Sequence, residues 1–92
     1  MITIELPRAL QPYAGGDTVV VLDRACATVG EALVALAAEW PGVLDRVMDE
    51  RGKLRPHVNV FVDEESIRFR GGLEAPVAER STITILPAVS GG

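Results

Sequence analysis

A chain of 92 residues makes one domain, and its core is too small to enclose a large ligand cavity as well. Hydrophobic residues make up 48% and charged residues 24%, the composition of a folded soluble protein and not of a disordered chain. The formal net charge is −4, and the eight arginines are dispersed without a basic block, which argues against a nucleic-acid partner.

The opening "MITIELP" alternates, with Ile2, Ile4 and Leu6 on one face and Thr3 and Glu5 on the other, the pattern of a half-buried strand. Pro7 ends it or marks an edge. "AGGD" is a turn signal, and "TVVVL" is the second strand, paired with the first as an antiparallel hairpin with a long loop. Thr28 followed by Glu31 fits a capping box at the start of a helix. Val29, Leu33, Leu36, Ala37 and Trp40 form its apolar stripe, and Pro41 with Gly42 closes it. "VLDRVMDE" predicts a further turn or two of helix. "HVNVFV" is a strand with Val58, Val60 and Val62 on one face and His57, Asn59 and Phe61 on the other. "DEES" predicts a turn, "IRF" a short strand, and "GGLEAPVAERS" a loop with one helical turn. "TITILP" is the last strand, alternating Ile83 and Ile85 against Thr82, Thr84 and Leu86.

One main helix against four or five strands of mixed direction makes an α+β domain of two layers. An N-terminal hairpin, a helix and then more strands is the element order of the ubiquitin-like β-grasp fold. This predicts a β-grasp domain over residues 1–87 and a flexible diglycine tail over residues 88–92. The opening residues lack the charged and apolar regions of a signal peptide, and no apolar run reaches the length of a membrane span. The expectation is a cytoplasmic monomer with no membrane partner.

With its strand order and "TITILPAVSGG" ending, the chain resembles the MoaD/ThiS family of sulfur carriers. The half "VNVFVDEESIRFRGGLEAPVAERSTITILPAVSGG" is most similar to the branch that donates sulfur for cysteine synthesis. The resemblance implies that an E1-like adenylating partner uses MgATP to convert the C-terminal carboxylate to an acyl adenylate. A sulfur source then leaves a thiocarboxylate on the last glycine. In the cysteine branch, a cysteine-synthase-like enzyme accepts the sulfur and a metalloprotease releases the product. Mapped here, Gly92 is the carrier residue and Gly91 its neighbour, and no cofactor is bound by the chain itself. Molybdopterin, thiamin or a secondary metabolite as the product, or a ubiquitin-like modifier that joins lysines of other proteins, are the alternatives. Only Lys53 could receive such a link on the protein itself, which leans toward the carrier.

The chemistry is consistent with that mapping. A terminal carboxylate is ionised at neutral pH, with a reference pKa near ~3.5, and is then a poor electrophile. Adenylation turns one oxygen into a leaving group, provided a partner aligns it with a phosphate. Glycines at 91 and 92 let the backbone enter a narrow channel. Pro87 stiffens the root of the tail, and Ala88, Val89 and Ser90 act as an extended spacer whose backbone can pair with a partner.

The remaining candidates have structural readings. Gly71–Gly72 suits a tight turn, with no phosphate-loop spacing around it. Cys26 precedes a helix N-terminus, where a thiolate can be stabilised, yet packing is its ordinary role. As the only cysteine, it also excludes a disulfide framework and a cysteine-ligated metal site. His57 has no second histidine, Trp40 belongs to the helix stripe, and Asp63, Glu64 and Glu65 form a solvated turn. Phe61 lies opposite the valines, either in a second small core or on an exposed partner-binding face. No nucleophile–base pair can be assembled from the residue list, so the chain is not expected to be an enzyme.

Overall fold

The alternation in the first strand sets the two faces of the sheet. In the computed structural model, which describes residues 1–87, β1 (Ile2–Glu5) buries Ile2 and Ile4, and Leu6 beyond it is buried too. β2 (Val19–Leu22) pairs antiparallel with it, Ile2 opposite Leu22 and Glu5 opposite Val19. Val20 and Leu22 thereby join the core, while Val19 and Val21 face the other way. The loop between the two strands holds a 3₁₀ segment, Arg8–Ala14, anchored by buried Leu10 and Ala14. Gly15 and Gly16, at φ 66° and 95°, then reverse the chain, as the turn signal predicts.

α1 (Val29–Glu39) starts where the capping box places it. The Thr28 hydroxyl accepts from the Glu31 N–H at 3.2 Å. The Glu31 carboxylate accepts at 3.1 Å from the N–H of Ala27, one residue before the cap. Val29, Leu33 and Leu36 are fully buried, while Ala37 and Trp40 are half-buried. Pro41 differs from expectation: α1 ends at Glu39, and Pro41 opens α2 (Pro41–Val47) at the first helical position. Proline fits there because that position has no intrahelical N–H bond to lose. The predicted helical turn is therefore a seven-residue helix that buries Val43 and Val47.

β3 (Val58–Val62) and β5 (Thr82–Pro87) are antiparallel neighbours in the predicted places. The predicted strand at "IRF" is not observed. Between β3 and β5 the only strand is Glu65–Ser66 (β4), paired with β3, and Ile67–Phe69 forms a 3₁₀ turn capped by the Ser66 hydroxyl, which accepts from the Arg68 N–H at 3.3 Å. Strand alternation would put Ile67 and Phe69 on one face, yet Ile67 is fully buried and Phe69 is 86% exposed. The left-handed glycines Gly71 and Gly72 lead into a second 3₁₀ turn, Gly72–Glu74.

The sheet order is β2-β1-β5-β3-β4. β1 and β5 run parallel, and every other neighbouring pair is antiparallel. The helices cover the face that carries Ile2, Ile4, Val60, Ile83 and Ile85. Each large side chain buried there contributes about 1.5–3 kcal/mol of transfer free energy.

Candidate functional site

β5 is the strand that leads to the diglycine. Ile83 and Ile85 hold it in the core, and its outward residues are Thr82, Thr84 and Leu86. β1 pairs with it only through Thr82–Thr84, whereas β3 stays in register from Ile83 to Pro87. Pro87 closes the strand where "TITILP" places its end, registered opposite Val58, and at a strand end proline removes no essential ladder bond. The expected tail residues Ala88, Val89, Ser90, Gly91 and Gly92 lie outside the described residues.

Phe61 is half-buried on the outer face of the sheet, opposite Thr84 on β5 and Ser66 on β4. None of its outward neighbours belongs to the buried core, so no second core forms around it among the described residues. That face has threonines at its centre and apolar groups toward its edges. Val19 and Val21 are each 50% exposed on β2, and Leu86 is 43% exposed beside Asn59. The Thr84 hydroxyl donates to the Glu5 carboxylate at 3.1 Å, which ties the two central strands across this face.

The other candidates take structural places. The Trp40 ring packs against Gly15. Cys26 is half-buried against the core. His57 is exposed just before β3, and no group of three metal-ligating side chains comes together among the described residues. Glu65 pairs with Arg70 at 2.8 Å on the surface, worth about 0–1 kcal/mol. Asp63 has a role that the sequence reading missed. At φ 56°, its N–H donates to the Thr82 carbonyl at 2.7 Å, and its carboxylate accepts from the Thr82 N–H at 3.1 Å. It pins the start of β5 to the β3–β4 turn. The signal was an aspartate in a turn, since Asp tolerates the left-handed region better than most residues. Asp49 organises the loop before β3. The backbone N–H of Lys53 holds its carboxyl below the ordinary range, with help from the Arg51 N–H and the nearby Arg55 and Lys53 charges against partial desolvation.

A five-stranded mixed sheet with β1 and β5 parallel at its centre and α1 on one face defines a ubiquitin-like β-grasp domain. The chain belongs to the ThiS family, whose model matches residues 4–92. The sulfur carrier protein CysO of Mycobacterium tuberculosis is 39% identical over 93 residues, covering 99% of this chain and 98% of that one. Its crystal structure superposes with a TM-score of 0.89 at 37% identity, over 97% of this chain and all of that chain. A chain in the crystal structure of the Amycolatopsis orientalis BexX/CysO complex matches with a TM-score of 0.88 at 39% identity over the whole of both chains. Small archaeal modifier protein 1 of Haloferax volcanii is 36% identical over 83 residues, covering 90% of this chain and 91% of that one.

Proposed function

We propose that this protein is a sulfur carrier and that Gly92 bears the sulfur. The observation that carries the reading is the full-length likeness to CysO, together with a family match that runs through both glycines. An adenylating partner holds MgATP. The Gly92 carboxylate attacks the α-phosphate, pyrophosphate leaves, and an acyl adenylate forms. Sulfide or a persulfide-derived sulfur then attacks the acyl carbon, AMP leaves, and a thiocarboxylate remains. The acceptor is an activated serine on a cysteine-synthase-like enzyme, and a metalloprotease frees the cysteine formed on the tail. The chain itself supplies presentation: β5 fixes the root at Pro87, and the glycines let the backbone approach the reacting phosphate closely. Phe61 and Leu86, on the outer face near that root, are the side chains we assign to first contact with the adenylating enzyme.

A second reading is favoured by the archaeal modifier relative, in which an amine of another protein would take the activated tail. The test is an intact mass after incubation with the cognate adenylating enzyme, MgATP and sulfide. A gain equal to oxygen exchanged for sulfur, abolished by deleting Gly92, is the expected result. An unchanged mass with an active enzyme would sink the carrier reading, and a gain of a whole linked protein would establish the modifier.

A further inference from the structure

Past Thr84, the β1 side of β5 has no registered strand. A groove of about 290 Å³ occupies that space. Leu10 and Tyr13 of the first 3₁₀ segment form one wall, and Leu86 and Pro87 of β5 the other. Arg46 of α2 and His57 also line it, and no carboxylate does, although the chain as a whole carries −4. Arg46 is held in place. Its guanidinium carbon sits 3.5 Å from the centre of the Tyr13 ring, and Nη1 donates to the Gly42 carbonyl at 3.1 Å. Guanidinium carries five N–H donors, so several remain for another acceptor. No described carboxylate forms an ion pair with Arg46.

We propose that this groove docks the adenylating enzyme that activates Gly92, receiving an apolar side chain from the rim of that enzyme's tail channel with a carboxylate beside it for Arg46. The proposal rests on the carrier reading above. The reach to the reacting residue carries it: Gly92 is five residues past Pro87, and at ~3.3–3.6 Å each these span no more than roughly 18 Å. An enzyme that reacts at Gly92 must bring its surface within that reach of Pro87, and any tail enclosed in a channel brings the mouth closer still. Pro87 is itself a wall of the groove, so the groove lies beneath that mouth. Charge then selects the occupant. An apolar plug alone would cover Arg46 without a counter-ion, which is unfavourable, whereas a paired carboxylate meets its free donors. Tyrosine and arginine around a small apolar pocket are also the residue types that concentrate binding energy at interfaces.

The test uses the full-length protein and its cognate adenylating enzyme, with ATP–pyrophosphate exchange followed against carrier concentration. Arg46→Glu should raise KM for the carrier by about tenfold or more while leaving kcat at saturation near wild type. Arg46→Lys should recover most of that loss, and Tyr13→Ala should raise KM where Tyr13→Phe does not. Arg24→Glu makes the same change in net charge on the α1 side, away from this groove, and serves as the control for general steering. Thermal melts show that each variant is folded. An Arg46→Glu KM equal to that of Arg24→Glu, with wild type turning over normally, overturns the docking proposal alone. A wild-type protein that supports no exchange overturns the carrier reading and the dock with it.

Discussion

Alanine at Gly15 should destabilise the domain more than alanine at Gly16, and the gap measures how firmly Trp40 holds the turn. Both glycines have positive φ, 66° and 95°, so an L side chain is strained at either. That strain is about 1–2 kcal/mol, and it is no smaller at Gly16, which lies further from the left-handed minimum near ~57°. The surroundings separate the two positions. A methyl at Gly16 meets nothing within 4 Å, whereas at Gly15 it would lie 2.6 Å from Cη2 of Trp40 and 3.2 and 3.3 Å from Cζ3 and Cζ2. Forcing extra volume into a packed site costs about 1–3 kcal/mol. Gly16→Ala should therefore cost about 1–2 kcal/mol and Gly15→Ala about 2–5. In a domain of this size, each kcal/mol moves Tm by about 4–8 °C. Urea denaturation followed by the fluorescence of Trp40, the single tryptophan, measures both variants directly. A Trp40→Leu background should shrink the excess at Gly15, which a double-mutant cycle isolates. Equal losses at the two glycines would mean that the half-buried indole swings aside freely, and the packing argument would be wrong.

Other changes test the remaining supports. Leu33→Ala removes a fully buried side chain from the middle of α1 and should cost about 2–5 kcal/mol by chemical denaturation, a large part of a small domain's stability. Thr28→Ala should cost about 1 kcal/mol, and Thr28→Ser should retain most of it, because the hydroxyl that caps the Glu31 N–H is then kept. Asp49→Asn should be less stable than wild type at neutral pH, with the difference fading in acid. The folded carboxyl titrates below its unfolded value near ~3.9, so its contribution is fully present above that pH and disappears as pH falls through the folded value. Stability curves from pH 7 down to about pH 2 check this, and a gap that widens in acid would contradict the assignment.

Period-two alternation located β1, β2, β3 and β5 because each has one buried face, and the same pattern already put Phe61 opposite the valines. The helix was legible from its cap and its stripe. The differences arise where local chemistry competes with periodicity. Pro7 and Pro12 hide the 3₁₀ segment Arg8–Ala14, which forms because Leu10 and Ala14 reach the core. Pro41 reads as a stop but also serves as a start. At Ile67–Phe69 three residues are too few for alternation to outweigh the Ser66 cap and the left-handed glycines that follow. Whether a second layer covers Phe61 is a tertiary question that its own strand cannot answer. The groove draws Leu10 and Tyr13, Arg46, His57, and Leu86 and Pro87 from four separate segments, and no spacing in the sequence joins them.

On the proposed carrier function, the place of β5 also limits how the adenylating partner can recognise the chain. The strand is bonded on both sides through Thr84 and on one side to Pro87, so its end is part of the rigid body. Fixing residues 88–92 in one conformation inside a partner's channel would cost about 5–10 kcal/mol at ~1–2 kcal/mol per residue. Glycines and small side chains offer little apolar area to offset that cost, so the tail alone makes a weak ligand. The deficit has to be met on the folded body, within the short reach that the tail allows. Two apolar surfaces meet that condition: the outer face with Phe61 and Leu86, and the groove between Tyr13 and Pro87. Leu86 belongs to both, so a partner seated over it can engage the two together. Truncating Leu86 should therefore weaken adenylation more than truncating Val19 or Val21 on the far edge strand, although all three are comparably exposed.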